Sequence, residues 1–272
     1  MSNNPVKPFI IRVSSQKGGV GKTTVSVNLS IALTMRGYNV LLIDADTANP
    51  TVGIHLGFEG TRIGYLDVIR RKVSLKDAVL FHTQSGLHVL PGKTITGILK
   101  HDSSRMENLL PDLHRQKYDF VVVDTPPGLQ DSTVGYDVDF GVIVTQPSIE
   151  ACANALRLST IFRKEDVPFC LVVNRVRNKK YELTGSEIEN LYEGKIGVTV
   201  REDEAVPISI DVSTPAYLNS RRSKFARSMD QLTEIVINSS SKVRKEFQSQ
   251  RGGKGLSSHL SRLIGRRESY ED

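Results

Sequence analysis

The sequence predicts an α/β protein with a doubly wound, mostly parallel sheet, and three observations lead there. Apolar β-type runs recur at 9–15, 39–44, 86–90, 118–124, 140–145, 168–174 and, more weakly, 195–200. Helical segments lie between most of them, near 22–36, 104–116, 149–164 and 184–193. The runs are nearly continuous in apolar residues instead of alternating, the pattern of strands buried on both faces. The first run, FIIRVSS, leads into a glycine-rich loop, KGGVGKTT at 17–24, and then into VSVNLSIALTMRG, apolar at helical spacing and closed by a glycine C-cap.

Composition bounds the other possibilities. With 272 residues and 39% hydrophobic content the chain can bury one sizeable core, and no apolar stretch approaches the length of a membrane span. The start, MSNNPVKP, lacks the basic-then-apolar pattern of a secretory signal, so a cytoplasmic location is expected. The two cysteines, Cys152 and Cys170, form no C-x-x-C and signal neither a disulfide framework nor a metal site. Both read as buried small hydrophobes. Net charge is +6, and from Asn238 onward eight Lys/Arg face four acids, so most of the excess sits in the tail.

The loop carries the chemistry. A G-x-x-x-x-G-K-[ST] loop needs glycines so that bare N–H groups wrap phosphates, a lysine for the terminal phosphates and a hydroxyl for Mg²⁺. Here Gly18, Gly19, Val20, Gly21, Lys22, Thr23 and Thr24 supply the glycines, the lysine and the hydroxyl. The helix behind them adds its partial positive charge, which favours a polyphosphate. An additional lysine, Lys17, sits near the start. The string resembles the deviant Walker A motif of the MinD/ParA family of P-loop NTPases, a resemblance that implies ATP and Mg²⁺ as cofactors and ATP hydrolysis as the activity.

Other candidates follow the strands, where parallel sheets hold ligands. Asp124, after VVV, reads as a Walker B carboxylate that orders the Mg²⁺ shell, and Pro126-Pro127-Gly128 as a turn whose backbone approaches the γ-phosphate. A strand-end aspartate also serves as a cap or turn residue. Asp44 and Asp46 form the D-x-D of the family, and resemblance implies a Mg²⁺-shell role for Asp44 and water activation for Asp46. Capping aspartates in a solvated loop are the alternative. Asn174 and Arg175 end the run VVNRV, where relatives place an adenine-binding Asn, although Asn is also a common turn residue. In VREDEAVPISIDVSTPAY, Arg201 replaces a proline of the family's later loop and Asp203 keeps its acid.

In relatives the extra lysine, here Lys17, reaches across a face-to-face dimer to the partner's nucleotide, so resemblance implies an ATP-dependent homodimer. A solvated surface lysine is the alternative. Domain organisation is expected as an ATPase domain over 1–237, a flexible polar linker over 238–254 and an amphipathic helix over 255–267 that places Leu256, Leu260, Leu263 and Ile264 in one arc. That segment resembles the membrane-targeting helix of MinD proteins. The alternative is a helix docked on the domain or on a protein. Four aliphatic side chains and a few basic ones hold one helix only weakly on anionic lipid, whereas two helices on a dimer gain about 10²–10⁴-fold in avidity.

The leading expectation is a MinD-like ATPase, cytoplasmic and peripheral on the inner face of the cell membrane, that recruits or positions an unidentified protein. A ParA-type partition ATPase binding DNA through Arg221, Arg222, Lys224, Arg227 and the basic tail is the alternative. The missing cysteine pair argues against a metal-cluster carrier, and the lone tail tyrosine, Tyr270, against a tyrosine-kinase relative.

Overall fold

The computed structural model describes residues 7–58, 60–93, 106–128 and 137–252. Eight strands form one sheet: β1 (Phe9–Ser14), β2 (Val40–Asp44), β3 (Leu80–His82), β4 (Leu87–Leu90), β5 (Phe120–Asp124), β6 (Phe140–Thr145), β7 (Phe169–Val176) and β8 (Val198–Arg201). The helices are α1 (Lys22–Thr34), α2 (Val52–Leu56), α3 (Tyr65–Ile69), α4 (Leu75–Ala78), α5 (Leu110–Arg115, after a 3₁₀ turn), α6 (Ile149–Lys164), α7 (Gly185–Tyr192), α8 (Ala205–Asp211), α9 (Ala216–Asn219) and α10 (Lys224–Gly252). The strand order is β3-β4-β2-β5-β1-β6-β7-β8, every pair parallel except β3 with β4.

Every residue of β1, β2, β5 and β6 is buried, as continuous apolar runs require when helices cover both faces. One core layer joins Leu41, Ile43, Val121 and Val123 to Tyr65, Ile69 and Leu113. Another joins Ile143, Leu171 and Val173 to Leu158, Phe162, Ile188 and Tyr192. Register positions the site: Asp124 lies opposite Val13 of β1 on one side and Asp44 of β2 on the other. Both carboxylates therefore meet the loop that leaves β1.

The polar stretch after Asn238 departs from the sequence expectation. A flexible linker was expected over 238–254, yet α10 continues as helix through Gly252. The Ser240 and Ser241 hydroxyls both donate to the Ile237 carbonyl at 2.9 Å, so they do not compete for backbone groups outside the helix. Good helix formers then carry it on: Lys242, Arg244, Lys245 and Glu246. A first compact unit spans Met1–Ile235 and a second begins at Val236. The amphipathic segment 255–267 lies outside the described residues. Among the described residues no helix is long and apolar enough to cross a membrane.

Candidate nucleotide site

The loop from Ser15 to Gly21 turns β1 into α1. Gly19 (φ 77°) and Gly21 (φ 95°) both occupy the left-handed region, where a side chain is strained. Around Gly18 and Gly19 a Cβ would meet nothing within 4 Å, which leaves a bare, open cradle of backbone. Helix α1 begins there without a side-chain cap and with no acid in its first turn, so its leading N–H groups are available to an anion. The Ser15 hydroxyl donates to the Lys17 carbonyl (3.0 Å), and the Gly128 N–H donates to the Ser15 carbonyl (3.1 Å). The Gly128 N–H thus braces the loop, a different task from the γ-phosphate contact expected of that turn.

Asp124, fully buried, is the hub beneath the cradle. It accepts from Lys22 Nζ (3.2 Å), Thr23 Oγ1 (2.6 Å) and Ser26 Oγ (2.8 Å). Sequence reading missed Ser26, although its spacing from Lys22 and Thr23 puts it on their face of α1. Asp44 accepts from the N–H groups of Asp46 (3.2 Å) and Val52 (3.1 Å). Burial, and next the charge of Asp124, push its carboxyl up to about 7. Gly92 packs so close to Asp44 and Pro50 that a side chain there would displace them.

Asp46 accepts from the Asn49 N–H (2.9 Å), and so it shapes its own loop. Thr51, also missed, donates from its hydroxyl to Thr23 Oγ1 at 3.0 Å, tying the segment after β2 to the phosphate loop. The oxygens of Thr23, Asp124 and Asp44 form a hard donor set of two neighbouring buried carboxylates and a hydroxyl, with one lysine held to Asp124. That excess of negative charge suits Mg²⁺, which takes few protein ligands and completes its shell with phosphates and water. Thr23, Asp124 and Asp44 would hold it.

Lys17 lies apart. Its side chain is 48% exposed and its ammonium meets Glu150 at 2.8 Å, in the first turn of α6, away from the Asp124 hub. Asn174 is buried, and its Nδ2 donates to the Val20 carbonyl at 2.8 Å. Arg175 beside it is exposed, with φ 56°. Asp203 accepts from the N–H groups of Ala205 (3.0 Å) and Phe225 (3.1 Å), tying the loop after β8 to the start of α10. Cys152 and Cys170 are buried on α6 and β7, and burial raises both thiols, that of Cys170 to about 12, so neither offers a thiolate.

A family model described as ParA, NUBPL iron-transfer P-loop NTPase, matches residues 6–249. The chain belongs to this ParA family of P-loop NTPases. An uncharacterised ATP-binding protein of Methanocaldococcus jannaschii is 34% identical over 205 residues, 73% of this chain and 76% of that one. The cell division ATPase MinD of Pyrococcus furiosus superposes with a TM-score of 0.77 at 28% identity, covering 85% of this chain and 98% of that one. The septum site-determining protein MinD of Pyrococcus horikoshii, complexed with Mg-ADP, gives 0.73 at 26% identity, over 84% and 96%. The doubly wound P-loop fold and the MinD/ParA character expected from the sequence are thus found. ATP hydrolysis is the general chemistry of such P-loop proteins.

Proposed function

We propose that this chain is a MinD-like ATPase that dimerises on Mg-ATP, associates with the inner membrane face through 255–267, recruits or positions another protein, and leaves on hydrolysis. The observation that carries the reading is the division of labour between two lysines on one loop. Lys22 is held at the cradle over Asp124, while Lys17 stands exposed at its rim. A charge at the rim, held only by the exposed Glu150, can be given up to a nucleotide held by a second copy.

Each residue then has a task. The N–H groups from Gly18 to Thr24 wrap the phosphates, and Lys22 neutralises their terminal charge. Mg²⁺ withdraws charge from the phosphate oxygens when bound. Asp46 accepts a hydrogen bond from the attacking water and turns it toward the γ-phosphorus. Lys17 of one copy stabilises charge building on the nucleotide of the other. Turnover is slow and is stimulated by the recruited protein. Asn174 and Arg175 border the base.

Co-sedimentation with anionic vesicles, with and without Mg-ATP, tests this reading. Wild-type protein should sediment only with ATP, and Leu263→Glu should stay in the supernatant while binding ATP normally, because a charge at the centre of the apolar arc opposes insertion. Sedimentation that persists in Leu263→Glu overturns the membrane assignment. Tight DNA retention without vesicle binding would favour the partition alternative. Against that alternative, Arg222, Lys224 and Arg227 share a cleft with Glu202, Asp203 and Glu204, so that face is mixed in sign.

A further inference from the structure

Strand β7 does not run regularly to its end. Its pairing with β8 shifts register between Val173 and Val176, and Arg175 takes a left-handed backbone. A bulge of this kind re-aims the side chain beside it. That side chain is Asn174, 5% exposed, whose Nδ2 donates to the Val20 carbonyl at 2.8 Å. Val20 is itself buried, so its carbonyl has no ready access to water. Next to it, the left-handed Gly21 leaves no room for a Cβ, because the Asn174 amide fills that space. Loop and amide are therefore fitted twice, by a hydrogen bond at Val20 and by direct contact at Gly21.

We propose that Asn174 is a positioning residue that fixes the shape of the phosphate loop through the Val20 carbonyl, so that the end of β7 sets the cradle. The inference rests on reading the loop as a nucleotide phosphate site. It assigns Asn174 a task independent of any base: without its donor, a buried carbonyl is left unsatisfied and the glycine turn loses its neighbour. It also narrows what Asn174 can offer a base. One amide N–H is committed to the loop, which leaves the second N–H and the carbonyl oxygen for other partners. One side chain then couples the base pocket to the cradle.

The test separates phosphate from base. In full-length protein and in Asn174→Ala, a fluorescent ATP analogue is displaced by ATP or by Mg-tripolyphosphate, and amide hydrogen exchange is followed without ligand. Loss of the brace should weaken both ligands by about tenfold, with the two losses equal within about twofold. Amides of Gly19 to Lys22 should exchange faster while those of β1, β5 and β7 keep their rates. A residue acting only on the base would give weaker ATP binding with wild-type tripolyphosphate affinity and wild-type loop exchange, and that result overturns the proposal. If the wild type binds neither ligand, the nucleotide reading fails, and the exchange comparison still decides the brace. Should the alanine variant be broadly destabilised, Asn174→Asp keeps the shape but sets an oxygen against the Val20 carbonyl, and unchanged loop exchange in it refutes the brace.

Discussion

Lys22 and Lys17 occupy one loop and opposite environments. The Lys22 side chain is 8% exposed and held to a carboxylate with no exposure at all, whereas Lys17 is 48% exposed and its partner Glu150 69%. A buried lysine over a buried carboxylate is a fixed charge, preorganised for a ligand that lands in its own cradle. An exposed lysine on an exposed glutamate is a movable one, because such pairs contribute little and exchange readily with water. The loop thus carries a fixed charge in its cradle and a movable one at its edge.

The largest way to break that contrast is Lys22→Ala, which should abolish ATP binding measured by calorimetry. The phosphates lose their main point charge, and Asp124 loses one of three donors in a site closed to water. Lys17→Ala should leave nucleotide binding in place while removing the ATP-dependent dimer seen by light scattering and the phosphate release that depends on it. An equal loss of ATP affinity in both variants would erase the distinction. Asp46→Ala sharpens it from the other side: with the water no longer oriented, the dimer should form and persist without turnover. Phosphate release at the wild-type rate in that variant would remove Asp46 from the mechanism.

The same contrast marks what the sequence made legible. Glycines, Lys22, Thr23 and Asp124 were readable because a backbone cradle and a strand-end carboxylate need those residue types at fixed spacing, and the apolar runs fixed the central strands. Ser26, Thr51 and Glu150 were not, since a hydroxyl on a helix face or a surface acid acquires a role only when another element is brought against it. Edge elements escaped for a related reason. β3, α3 and α4 are three to five residues long, too short for a period to register, and β3 turns antiparallel at the edge. The linker reading failed where serines suggested flexibility but bonded back onto their own helix.

A smaller effect concerns the pH dependence of the empty site. Burial and the neighbouring Asp124 raise Asp44 from 3.8 to about 7, above its unfolded value. Folding therefore favours its protonated form. The contribution is fully present below about pH 4 and is lost as pH rises through about 7, a fall of a few kcal/mol at most at about 1.4 kcal/mol per pH unit of displacement. Chemical unfolding of the ligand-free protein at several pH values should show this decline, and Asp44→Asn should flatten it. Saturating Mg-ATP should flatten it too, by favouring the charged carboxylate. An equal slope in Asp44→Asn would assign the decline to other groups.

The smallest effect is expected at Glu150, and it is the sharpest probe of the rim. In the single chain Glu150 holds the Lys17 ammonium at 2.8 Å, so any engagement of Lys17 with a second copy must first give up that contact. Because both side chains are largely exposed and screened by salt, the contact competes only weakly. Glu150→Gln should lower the ATP concentration for half-maximal dimerisation by no more than about fivefold, and less at high salt, with affinity of the single chain for nucleotide unchanged. A change in the opposite direction would mean that Glu150 serves the assembled dimer more than it restrains the single chain. Lys17 would then be carried to its target together with its partner, and the rim would be a preformed contact pair, not a movable charge.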